Sequence, residues 1–168
     1  MAELPDLPRP SQLWKGLPPE RKIEAAESFW KDDNAHLEQA EAVATIAQRI
    51  KFRPKSVVAM PVDKKARHLA SLPAVSELVA ARLLVAYHLD RQRPMMGSFL
   101  DALGIKHESG LIEDEDMPAP EAEKLKAAAT AIAGQYPHED VALYLSTLVW
   151  QDPETWGGLA EAPEIRPA

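Results

Sequence analysis

Cysteine is absent from all 168 residues, which removes disulfides, thiolate nucleophiles and every cysteine-bound zinc or iron–sulfur site. Glycine occurs only 7 times, leaving few places where a backbone can close on a phosphate. No glycine-rich phosphate loop, dinucleotide fingerprint or G-x-S-x-G nucleophile elbow is present. No helical pair of histidines of the H-E-x-x-H kind occurs either. Long apolar runs are lacking too. The longest, Leu78 to Leu89, is broken by Arg82 and His88 and is too short to span a bilayer. The first residues, MAELPDLPRPSQLW, carry neither a basic n-region nor an apolar h-region. No secretory signal is expected, no membrane association, and a cytoplasmic location.

What the chain does have is charge sorted along its length. Residues 1–48 hold 5 Lys/Arg against 9 Asp/Glu, and residues 68–111 balance at 4 against 4. Between them, residues 49–67 hold 7 basic side chains against Asp63 alone, a local charge of +6 inside a chain of net −7. Residues 112–168 hold 3 against 12. A block of one sign either meets a partner of the other sign or is neutralised across the fold.

Length and composition describe one ordinary globular domain, with 46% apolar residues and 27% charged. The 15 prolines gather at the termini and between periodic apolar stretches, where helix boundaries belong. Residues 1–17 read as an extended proline-rich arm, with Leu4, Leu7, Leu13 and Trp14 to lay it against the body. Helices are expected over 19–31, 35–52, 64–72 (with Asp63 as its cap), 74–92, 94–103, 120–135 and 138–151, each from apolar spacings of three and four. A turn is expected over 56–60 and a last short one from Pro153 to Leu159. The region 18–160 is then a single helical domain, and 161–168 a frayed tail. No segment shows a convincing period of two. The expected class is all-α, a compact array of about seven helices built from helix hairpins. A weak threefold recurrence around Pro54, Pro94 and Pro153 raises a short irregular α-solenoid as a variant, although their spacings of 40 and 59 are unequal.

The basic stretch is the first candidate site: Arg49, Lys51, Arg53, Lys55, Lys64, Lys65 and Arg67. Cations at a helix C-terminus have a structural reason, so part of the first group needs no further explanation. Lys64 and Lys65 fall at the start of the next helix, where the macrodipole disfavours them. The expected occupant is another protein with an acidic surface; a solvated face, or one docked on the acidic C-terminal third, is the structural alternative. Nucleic acid is disfavoured by the net charge and by Phe52 standing as the lone aromatic in the stretch.

The second candidate is a small-ligand or enzymatic pocket between helix 74–92 and the loop 105–118. It would use His88, Arg91, Arg93, Asp101, His107 and Glu108, where a histidine beside acids could act as a base or ligand. Glu77, Ala81, Leu84, His88 and Arg91 share one stripe of that helix. Arg82 lies off the stripe and needs a carboxylate or carbonyl partner. The loop itself, IKHESGLIEDEDMP, is long for a compact domain and carries four consecutive acids, but their order is not that of a calcium loop. No catalytic residue, cofactor or metal is expected. An interaction or adaptor module acting through its surfaces is the leading expectation; an enzyme is the lesser one.

Overall fold

The computed structural model describes residues 7–114 and 116–166. The protein is all-α: 70% is helical and the only strands among the described residues form one two-stranded hairpin. Its contacts divide into two units, residues 9–91 and residues 92–168 together with 1–8. Each is described by itself.

The unit 9–91 holds α1 (Pro10–Lys15), α2 (Pro19–Lys31), α3 (His36–Ile50), α4 (Pro54–Val58), α5 (Val62–Ala70) and α6 (Glu77–Arg91). Proline opens α1, α2 and α4, where its missing N–H costs nothing and its fixed φ suits the first turn. Ala25, Ala26, Ala66 and Ala80 are wholly buried, and these small side chains let α2 approach α5 and α6 closely. Phe29, Ile46, Leu69 and Leu83 fill the space around them, also without exposure. At the α2–α3 corner none of Asp32, Asp33 and Asn34 caps α3. The N-cap of α3 is Ala35, with no side-chain bond. Gln39 instead reaches back from α3, and its amide donates to the carbonyls of Phe29 at 2.8 Å and Asp32 at 2.9 Å, which end α2. Arg82 finds the carboxylate that its position demanded, Glu38 of α3, at 3.8 Å.

The second unit holds α7 (Arg93–Leu103), a hairpin of β1 (His107–Glu108) and β2 (Leu111–Ile112), α8 (Ala122–Ala133), α9 (His138–Gln151) and α10 (Pro153–Trp156). Two 3-10 turns, Gly157–Glu161 and Pro163–Ile165, follow. Gly104 ends α7 in the left-handed conformation, and Ile105 N–H returns to the Leu100 carbonyl. Phe99 sits at the centre, edge-on to Tyr144 at 5.7 Å and tilted on Trp156 at 5.9 Å. Burial raises the Tyr144 hydroxyl well above the ordinary tyrosine range.

Four expectations are corrected. Residues 10–15 of the supposed extended arm are helical, because Gln12 Oε1 accepts the Arg9 N–H at 2.9 Å and closes the first turn. The rest of the arm call rests on residues 1–6, which lie outside the described residues, apart from Leu7, which is buried, and Pro8, whose carbonyl accepts the Trp150 indole N–H at 2.7 Å. Helix α5 starts at Val62, so Asp63 lies inside its first turn rather than capping it. The tail is held as far as residue 166: Ile165 is wholly buried, Thr130 donates to Glu164 at 2.8 Å and His138 bonds the Arg166 carbonyl at 2.8 Å. Residues 167 and 168 lie outside the described residues. The loop 105–118 contains the hairpin, paired Glu108 with Leu111. Its two-residue turn has Ser109 at φ 49 and Gly110 at φ 87, the double positive φ of a type I′ turn.

Gly110 cannot be exchanged there. A Cβ would stand 2.8 Å from Met96 Cβ and 3.1 Å from the Arg93 carbonyl, in addition to the strained φ. Gly110→Ala is expected to cost about 2 kcal/mol, read from urea denaturation. A second prediction concerns the link between α2 and α6. The buried Ser28 hydroxyl donates to Asp90 Oδ2 at 2.7 Å and accepts Arg91 Nε at 3.2 Å. That Ser28 bond holds the Asp90 carboxyl below its usual range against the opposing effect of burial, with Lys31 and Arg91 adding to the lowering. A carboxyl depressed in the folded state stabilises above its unfolded pKa and loses that contribution as pH falls through the folded value. Ser28→Ala should therefore cost about 1 kcal/mol at pH 7, discounted for the partial exposure of Asp90, and the gap from the parent should narrow as the pH falls below the ordinary carboxylate range.

Candidate functional site

The basic stretch spans the end of α3, α4 and α5 as far as Arg67. The buried side of α3 is Ala42, Val43, Ile46 and Ala47, which turns Arg49 outward. After Ile50 the chain takes a left-handed step at Lys51, φ 60, and both Lys51 and Phe52 return their N–H to the Ala47 carbonyl. Arg53, extended because a proline follows, leads directly into α4. Only Val57 of α4 is buried, and it anchors the short helix.

Arg49, Lys51, Arg53, Lys55, Lys64 and Arg67 are exposed, and none pairs with a carboxylate among the described residues. Lys65 differs. Its ammonium lies 4.9 Å over the Trp30 ring and contacts the Val58 carbonyl at 3.5 Å, at the C-terminal end of α4. The position that looked unfavourable in the sequence is thus occupied by a cation held on an aromatic face and a helix C-terminus. Arg67 sits in the last turn of α5, where a cation is also favoured.

Two large apolar side chains stand exposed among these cations, Phe52 at 50% and Val58 at 59%. Sequence reasoning noted Phe52 only as an isolated aromatic and read Val58 as part of a turn. Spacing signals Val58, since Val57 and Val58 are adjacent on a five-residue helix and only one of them can face inward.

The residues of the second candidate have firm places in their own units. In the first unit His88 is buried, donating Nδ1–H to the Leu84 carbonyl at 2.7 Å, with its ring edge-on to Tyr87. The stripe it shares with Glu77 is polar only at the ends, since Leu84 and His88 are both buried. Arg91 is engaged with Ser28 and Asp90. In the second unit Asp101 and His107 meet at 2.7 Å, and the Gly110 N–H donates to His107 Nδ1 at 3.0 Å. With Nδ1 accepting, Nε2 carries the proton to Asp101; the Nε2 bond pins the hairpin on α7, and the Nδ1 bond closes the hairpin's own turn. Glu108 is exposed, and Arg93 is the first residue of α7. Among the described residues no group of three or more His, Asp or Glu is arranged to hold a metal ion, and no helix is long and apolar enough to cross a membrane.

Lys51 is the one strained point of the basic surface. A side chain at positive φ costs energy that glycine avoids, and most helices ending this way use glycine. Lys51→Gly is expected to stabilise the protein by about 0.5–1 kcal/mol in chemical denaturation. No protein-family model, curated protein or solved structure matches this chain.

Proposed function

We propose that the protein is an interaction module whose α3–α4–α5 surface docks on an acidic partner protein. One observation carries this reading: within residues 49–67 six exposed cations without a described carboxylate partner alternate along the chain with two exposed apolar side chains, Phe52 and Val58. Charge alone gives a fast but weak and salt-sensitive encounter. Apolar side chains inside a charged rim supply the desolvated centre that makes an encounter specific. Lys51 adds to the argument, because a charged residue is kept where glycine would be more stable. A cytoplasmic protein would meet such a partner in solution.

The exposure of the Phe52 ring between Lys51 and Arg53, which the sequence did not show, supports a second reading, a single strand of nucleic acid with a base stacked on that one ring. The two readings separate by experiment. Tagged protein is used to retain partners from its native lysate with and without nuclease, beside a variant carrying Lys51→Glu, Arg53→Glu, Lys55→Glu and Lys64→Glu. Lys65 is spared because it rests on Trp30. The expected result is a discrete protein that survives nuclease and is lost by the variant, whose melting temperature stays at that of the parent. Retention that nuclease abolishes, with affinity falling by orders of magnitude between low and moderate salt, would replace the first reading with the second. Unchanged retention by the folded variant at low salt would sink both.

A further inference from the structure

We infer that a cavity between α1, the start of α2 and the segment joining α5 to α6 binds a small organic anion, an apolar body bearing one carboxylate or phosphate. This site belongs to the unit 9–91 and uses none of the residues of the basic surface. Its volume is about 250 Å³. That is below the usual range of roughly 300–1,000 Å³ for drug-sized ligands, so it suits a fragment-sized molecule.

Its walls divide by chemistry. Trp14 of α1 with Leu72, Pro73 and Val75 provides the apolar side. Trp14 and Leu72 are themselves buried, at 3% and 7% exposure, so this wall is part of the core and is formed before any ligand arrives. Lys15 and Lys22 line the cavity from α1 and α2, and no carboxylate lines it among the described residues. Neither lysine has an ion pair or hydrogen bond to a described residue, in a unit where Lys31 and Arg82 each have a carboxylate.

The geometry therefore presents two cations beside a preformed apolar wall. Inorganic phosphate alone would forgo the wall, and a neutral aromatic would forgo the cations. A ligand with both parts uses everything the cavity offers. Polar groups fix orientation in such sites, and apolar walls supply most of the contact. The position is also held firmly. The Ser11 N–H donates to Glu77 at 3.1 Å, tying the start of α1 to α6, and proline opens α1 and α2.

Phenylacetate is the probe, with 2-phenylethanol as the same body without charge and inorganic phosphate as charge without body. The full chain is titrated while the indole N–H resonance of Trp14 is followed by NMR, assigned by its loss in Trp14→Phe. Saturable movement of that resonance by phenylacetate is expected, with a Kd of roughly millimolar order. Binding should weaken at least tenfold for 2-phenylethanol on the parent, and at least tenfold for phenylacetate on the Lys15→Gln/Lys22→Gln variant. Three results would overturn the inference: no saturable shift at Trp14, equal affinity for the neutral alcohol, or equal movement of Trp14 by phosphate alone. The comparison of probes needs only the parent protein, so it stands even where the double variant folds poorly.

Discussion

The basic surface depends on how closely α5 can approach α2. The two helices meet where side chains are smallest, at Ala25, Ala26 and Ala66, with Phe29 and Leu69 filling the space beside them. A larger residue at any of these alanines forces the helices apart, because a core at crystal-like density has no spare volume. The same contact seats Lys65 over Trp30, which in turn holds the end of α4 through the Val58 carbonyl. Close approach of alanines thus fixes α5, α5 fixes α4, and α4 displays Val58 beside Lys55. The exposed chemistry is a consequence of a buried seam.

The second unit follows the same logic with an aromatic instead of a small-residue seam. Phe99 fills the centre, with Tyr144 and Trp156 set at angles around it, an arrangement that suits the ring quadrupoles better than stacking. Polar loop groups are bound back to the nearest helix rather than left to water. His107 holds the hairpin to α7 through Nε2 and closes its turn through Nδ1, and Asp152 caps α10 through Thr155. The histidine most suggestive of chemistry in the sequence therefore has a structural occupation, as buried His88 does with its Nδ1.

Charge divides between the units more sharply than along the sequence. Residues 9–91 carry 14 Lys/Arg against 10 Asp/Glu, while the other unit carries 5 against 16. The net charge of −7 describes neither. A field of one sign on a unit raises encounter rates with partners of complementary charge and repels those of like charge. The exposed cations of α3–α5 are the concentrated part of that field. The cavity at Trp14 is a separate and smaller feature, where cations line a buried wall instead of a rim.

The sequence by itself determined the helices. Periodic apolar residues and bounding prolines placed α2, α3, α7, α8 and α9 within a few residues, because these signals act through neighbours in the chain. The short elements escaped it. α1, α4 and the hairpin have too few residues for a period to register, and each exists through contacts to distant segments, such as Ser11 with Glu77 or Gly110 against Met96. The same division runs through the candidate sites. Sequence located the seven cations, since charge is local, but their meaning waited on the tertiary structure. Only packing decided that Lys65 rests on Trp30, that Phe52 and Val58 are left outside, and that Trp14 turns a presumed arm into the wall of a cavity. A side chain's identity is written in the chain, whereas its partner and its exposure depend on which distant surface arrives to cover it.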